Sequence, residues 1–93
     1  MKAIWNNTII AESDKTVSLE GNAYFPPDSL KKEFFSNSDK TSICPWKGKA
    51  NYLDISVNNE KNINAAWFYK NPSDAAQEIK DHVAFWKGVR VEP

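Results

Sequence analysis

Two runs of alternating residues joined by a polar turn restrict this chain to a β architecture. Between residues 49 and 57, Leu53, Ile55 and Val57 share one side while Ala50, Tyr52, Asp54 and Ser56 share the other. That period of two is what a strand imposes. Asn58-Asn59-Glu60-Lys61 reads as a hairpin turn, and residues 63 to 69 return with both sides largely apolar: Ile63, Ala65, Trp67 and Tyr69 against Ala66 and Phe68. A strand apolar on both faces has to be covered on both, so this run is expected at the centre of a sheet.

The flanking segments extend the same pattern. Lys2 to Trp5 and Thr8 to Glu12 form a second hairpin around Asn6-Asn7, a pair that tolerates the positive φ of a tight turn. Val17 and Leu19 alternate with Ser18 and Glu20, and Gly21-Asn22 turns the chain again. Pro26 and Pro27 cannot sit in a central strand, because neither donates to its ladder. A short helix is expected over residues 27 to 35, with Leu30 and Phe34 on one face and Asp28 and Lys32 paired on another. Ser36-Asn37-Ser38-Asp39-Lys40 reads as a loop. Asn71 as cap, Pro72 at the first position and Asp74 in the first turn start a second helix, with a stripe of Ala75, Ala76, Ile79 and Val83, ending near Asp81. Residues 83 to 86 and 89 to 92 are short strands around Lys87-Gly88. The expected fold is mainly β (α+β): one compact antiparallel domain over residues 1–93, with about seven strands and two short helices.

At 93 residues the chain is a single domain, since domains usually run to about 100 to 150 residues. Its 4 Trp, 5 Phe and 3 Tyr supply the apolar area that so small a core needs. Lys and Arg number 12, as do Asp and Glu, so there is no overall field to draw a polyanion. Neither nucleic acid nor a membrane is an expected partner. One cysteine makes no internal disulfide and no thiolate zinc cluster. The first residues lack the apolar run of a signal peptide, and the expected setting is a reducing cytoplasm.

The rarest residue types crowd into Thr41-Ser42-Ile43-Cys44-Pro45-Trp46-Lys47-Gly48-Lys49-Ala50-Asn51-Tyr52, which puts a thiol, a cation and a forced turn side by side. Cys44 is either a nucleophile or redox thiol, activated by a nearby cation such as Lys47, or a small packing residue. The one imidazole, His82, is either its partner or a contact to the end of the second helix. Lys47, with Lys49, is either an anchor for an anion or a solvated cation. Tyr24, Tyr52, Trp67 and Tyr69 either line a pocket or fill the core. Trp46-Lys47-Gly48 recurs as Trp86-Lys87-Gly88; a glycine turn beside an edge-covering indole explains the echo as readily as a shared ligand motif.

Tyr24-Phe25-Pro26, Thr41 with Cys44-Pro45 and Lys47-Gly48, Ala50 and Tyr52, Ala66-Trp67 with Tyr69, Pro72, and Val83-Ala84-Phe85 together resemble the bacterial family catalogued as domain of unknown function 427. The resemblance covers essentially the whole chain. It implies a fold similar to the β-tent of methionine sulfoxide reductase B and the Mss4-like proteins. Zinc, which many relatives of that wider fold hold through paired cysteines, does not carry over to a chain with one cysteine and one histidine. The nucleotidyltransferase label sometimes given to the family finds neither a Gly-Ser motif nor an Asp-x-Asp pair here. No metal or other cofactor is expected.

Three functions follow from these residues. The first is a module that binds a small ligand in an aromatic pocket, with Cys44, Lys47, Tyr52 and Trp67 converging on a concavity between the sheet and the Pro26 segment. The second is an enzyme using Cys44 as nucleophile or redox thiol. The third is a protein-interaction domain exposing Trp46 or Trp86. Oligomeric state is left open.

Overall fold

Paired residues in the left-handed region close the tight turns of this chain. Asn6-Asn7, Glu20-Gly21 and Asn58-Asn59 all have positive φ at both positions, the twist that two-residue hairpins require. In the computed structural model, which describes residues 1–93, these turns join β1 (Lys2–Trp5) to β2 (Thr8–Glu12), β3 (Val17–Leu19) to β4 (Asn22–Tyr24), and β6 (Gly48–Val57) to β7 (Glu60–Tyr69). The remaining strands are β5 (Phe35–Cys44), β8 (Val83–Phe85) and β9 (Arg90–Glu92).

The nine strands form three antiparallel sheets, ordered β2-β1-β9, β3-β4 and β5-β6-β7-β8. The fold is mainly β, as the alternation requires. The helices expected over 27 to 35 and 72 to 81 occur instead as 3₁₀ turns: Pro27–Ser29, Lys32–Phe34 and Asp74–Ile79, the last kinked at Ala76. Neither segment has the length at which an α-helix becomes favourable, and packing decides their form. Val83, placed both at the end of the helical stripe and at the start of the strand over 83 to 86, lies in that strand, β8, and exchanges both backbone hydrogen bonds with Phe25 at 2.8 Å. That bridge fastens the β3–β4 hairpin to the edge of the long sheet.

The polar stretch Ser36 to Lys40 is part of β5, not a loop. Its pairing with β6 shifts between Asn37 and Thr41, so the extra residues bulge outward while the strand continues. β7 bulges as well, between its pairs with Leu53 and Ile55. Asp54 fills that second bulge by accepting the backbone N–H of Asn64 at 2.8 Å, and Asn64 sits at φ 59°. Ser38 also donates to the Asn64 side chain, while Trp86 Nε1 donates to its carbonyl at 2.6 Å.

The four-stranded sheet carries an apolar cluster on each face. On one, Leu53, Ile55, Val57, Ala65 and Ala66 pack with Ala3, Ile10 and Ala11 of the first sheet and with Phe25 and Phe85, whose rings meet edge to face at 5.4 Å. On the other, Ala50, Tyr69 and Ala84 pack with Tyr24 and with Ala76 and Ile79 of the 3₁₀ segment. Tyr24 and Phe25 are fully buried neighbours on opposite faces, each stabilising its cluster by about 1.5 to 3 kcal/mol. No helix is long and apolar enough to cross a membrane.

Asp54→Ala leaves the Asn64 N–H without a partner, and is expected to destabilise the fold by about 1 to 3 kcal/mol in urea unfolding. Asp54→Asn retains the acceptor and is expected to lose less. Equal midpoints for Asp54→Ala and the parent chain would deny the carboxylate this role.

Candidate functional site

The turn between β5 and β6 owes its shape to Gly48. Its φ is +111°, and a Cβ there would stand 3.4 Å from the Asn71 carbonyl oxygen. The conformation calls for glycine, while the Asn71-Pro72 segment lies at ordinary van der Waals distance from that position. Ser73 N donates to the Lys47 carbonyl at 3.0 Å, locking that segment over the turn. Lys47 is thereby enclosed and only 8% exposed, the one charged residue in the buried set.

A buried ammonium requires a counter-charge, which Glu20 provides from the tip of the β3–β4 hairpin. Lys47 Nζ donates to Glu20 Oε1, and Trp46 Nε1 donates to Oε2 at 3.2 Å. Glu20 holds φ +51°, an uncommon conformation for a residue other than glycine. Burial works against the charged form of Lys47, but the Glu20 hydrogen bond, helped by the neighbouring Tyr24 and Tyr69, leaves its pKa above the usual lysine value. The hydrogen bond from Lys47 holds the Glu20 carboxyl below the usual carboxylate range. Lys47 Nζ also lies 5.2 Å from the Trp46 ring centroid and 5.8 Å from that of Tyr69, both favourable placements for a cation.

Lys47, Tyr52, Trp67, Tyr69 and Trp86 together line a hollow of about 170 Å³. The Trp67 and Trp86 rings meet edge to face at 6.0 Å, and Tyr52 and Trp86 tilt together at 6.5 Å. Tyr52 Oη is hydrogen-bonded to Ser42 Oγ at 2.9 Å. Burial pushes the Tyr69 hydroxyl up to about 12 against the opposing pull of Lys47, so this phenol stays neutral and able to donate.

The structure therefore brings Lys47, Tyr52, Trp67 and Tyr69 to one concavity, and adds Trp86. Tyr24 stands behind the wall, fully buried, accepting from Trp67 Nε1 at 3.3 Å. Cys44 is not among the lining residues; it is half-buried at the last pair of the β5–β6 hairpin and packs against the second cluster. The Pro26 segment lies elsewhere: Pro27 borders a separate hollow of about 300 Å³ with Leu30, Leu53, Phe68, Asp81 and Val83. His82 Nδ1 is hydrogen-bonded to the Lys80 carbonyl at 2.8 Å, and Lys49 is exposed while Lys47 is not. Nowhere do three or more His, Cys, Asp or Glu side chains gather at metal-binding range.

Two residues of this site, Trp86 and Glu20, were not placed at it by the sequence. Trp86 carried a signal in the repeated Trp-Lys-Gly, and in both copies the lysine ammonium lies 5.2 Å from the indole centroid. Glu20 carried none, because its partner is 27 residues away. A family model described as a domain of unknown function, DUF427, matches residues 1–92. No curated protein matches the chain.

The Glu20 pKa is lower in the folded state, so its contribution is present above the ordinary carboxylate range and is lost as pH falls through the folded pKa. The Lys47 pKa is higher in the folded state, so its contribution holds below the ordinary lysine range and is lost only as pH rises through its folded value. The difference in melting temperature between the parent chain and Glu20→Gln should accordingly be level around neutrality and shrink in acid. A difference independent of pH in acid would show that the carboxylate charge contributes nothing.

Proposed function

We propose that this chain, which belongs to the DUF427 family, is a small-ligand-binding module whose ligand occupies the hollow beside the Cys-Pro-Trp-Lys-Gly turn. The observation that carries this reading is the company Lys47 keeps. A cation enclosed in a wall of four aromatic rings is an arrangement that core packing alone would replace with an apolar side chain, often with a gain in stability.

The size of the hollow supports a ligand, or a ligand moiety, of about one ring: a cavity of roughly 150 Å³ suffices for benzene, and this one is about 170 Å³. Aromatic walls with a few convergent polar tips are the usual lining of small-molecule sites. Here the tips are the Lys47 ammonium and the Tyr69 hydroxyl. The free thiol of Cys44 suits a reducing, cytoplasmic setting.

Protein purified under native conditions from its own host is expected to carry a small molecule detectable by native mass spectrometry. Trp86→Ala removes part of the wall and should abolish that retention, whereas Ile43→Ala, at a side chain 74% exposed, should preserve it. Melting temperatures of both variants check that the fold persists. A ligand held equally well by Trp86→Ala would place the binding site elsewhere.

A further inference from the structure

We propose, resting on the ligand-binding reading above, that the hollow selects a flat aromatic carboxylate, whose acid group displaces Glu20 from Lys47 while its ring lies against Trp86 and Tyr52. Three rings lining the hollow each have a lysine ammonium beside them. Lys47 Nζ is 5.8 Å from the Tyr69 centroid, Lys40 Nζ is 5.5 Å from that of Tyr52, and Lys87 Nζ is 5.2 Å from that of Trp86. Against these stand two carboxylates. Asp54 is engaged in the β7 bulge through the Asn64 N–H, and Glu20 is engaged with Lys47. The chain is neutral overall, yet three of the four rings of this hollow have a lysine ammonium beside them, and a ligand cation would meet rings already turned to lysines.

The two halves of the ion pair are unequally held. The Lys47 side chain is 10% exposed and the Glu20 side chain 47%. The cation is therefore fixed in the wall, while the anion reaches it from a hairpin tip in contact with water. The exposed half can turn into water without opening the fold, and a carboxylate entering the hollow then supplies the counter-charge to the same ammonium with less water between them. A second donor is ready. Tyr52 is hydrogen-bonded to Ser42 and Tyr24 accepts from Trp67, which leaves the Tyr69 hydroxyl as the phenol of this group without a protein partner. A carboxylate with one oxygen toward Lys47 and one toward Tyr69 uses both.

The test is a titration of benzoate, benzamide and benzylamine, three probes of one size and three charges, followed by tryptophan fluorescence and by thermal shift. Benzoate is expected to bind about tenfold more tightly than benzamide, as charge-assisted hydrogen bonding predicts, and to lose that advantage in high salt. Glu20→Gln, which removes the internal competitor, should tighten benzoate severalfold and leave benzamide unchanged. Equal affinities, or a preference for benzylamine, would overturn the carboxylate proposal while leaving the ligand-binding reading standing. Failure of all three probes to bind would overturn both, because a hollow of this size that admits no single ring is not a ligand site.

Discussion

A sheet that is apolar on both faces has to be covered twice, and the rest of the chain is arranged to meet that demand. β7 presents Ala65 and Ala66 to one side and Trp67 and Tyr69 toward the other. The β2-β1-β9 sheet closes the first side, and the Asp74–Ile79 turn with Tyr24 closes much of the second. Coverage of the second side is incomplete. A single 3₁₀ segment is narrower than a sheet, and where it stops, the rings of Tyr52, Trp67 and Trp86 border open space. The hollow is thus a by-product of covering a four-stranded sheet with one short element on that face, and Lys47 stands at its margin.

That margin links the fold to the site. Gly48 permits the turn, the Asn71-Pro72 segment passes close above it, and Lys47 is enclosed as a result. Enclosure in turn obliges the β3–β4 hairpin to bring Glu20 across. Each contact is local in space, although the partners come from three separate parts of the chain. The site therefore exists only in the folded molecule.

The β architecture was legible because alternation is a property of consecutive residues. Leu53, Ile55 and Val57 announce a half-buried strand without reference to anything else, and the two-sided apolar run from Ile63 to Tyr69 announces a central one. The polar run from Ser36 to Lys40 misleads for an equally local reason, since bulged residues show neither alternation nor apolar character although the strand continues through them. The helical spacing around Leu30 and Ile79 was genuine, but 3₁₀ and α turns place residues three or four apart on similar faces, and only packing separates them. Of the site, Lys47, Tyr52 and Trp67 were visible as unusual residue types close to a forced turn. Glu20 was not, because charge pairing across 27 residues leaves no mark on either neighbourhood.

The pairing of β1 with β9, Lys2 opposite Glu92 and Ala3 opposite Val91, bears on the order in which the molecule assembles. As the chain leaves the ribosome, β1 and β2 emerge before the sheet they cover, as a hairpin whose buried face, Ala3, Ile10 and Ala11, has nothing to rest on. Two-stranded ribbons are marginal in water, and β1 lacks its second neighbour until residues 90 to 92 have been made. The central hairpin of β6 and β7 is local and can form early, but the layer that seals the first face waits for contacts between residues 2 to 4 and 90 to 92, which ties the closure of that face to the arrival of β9.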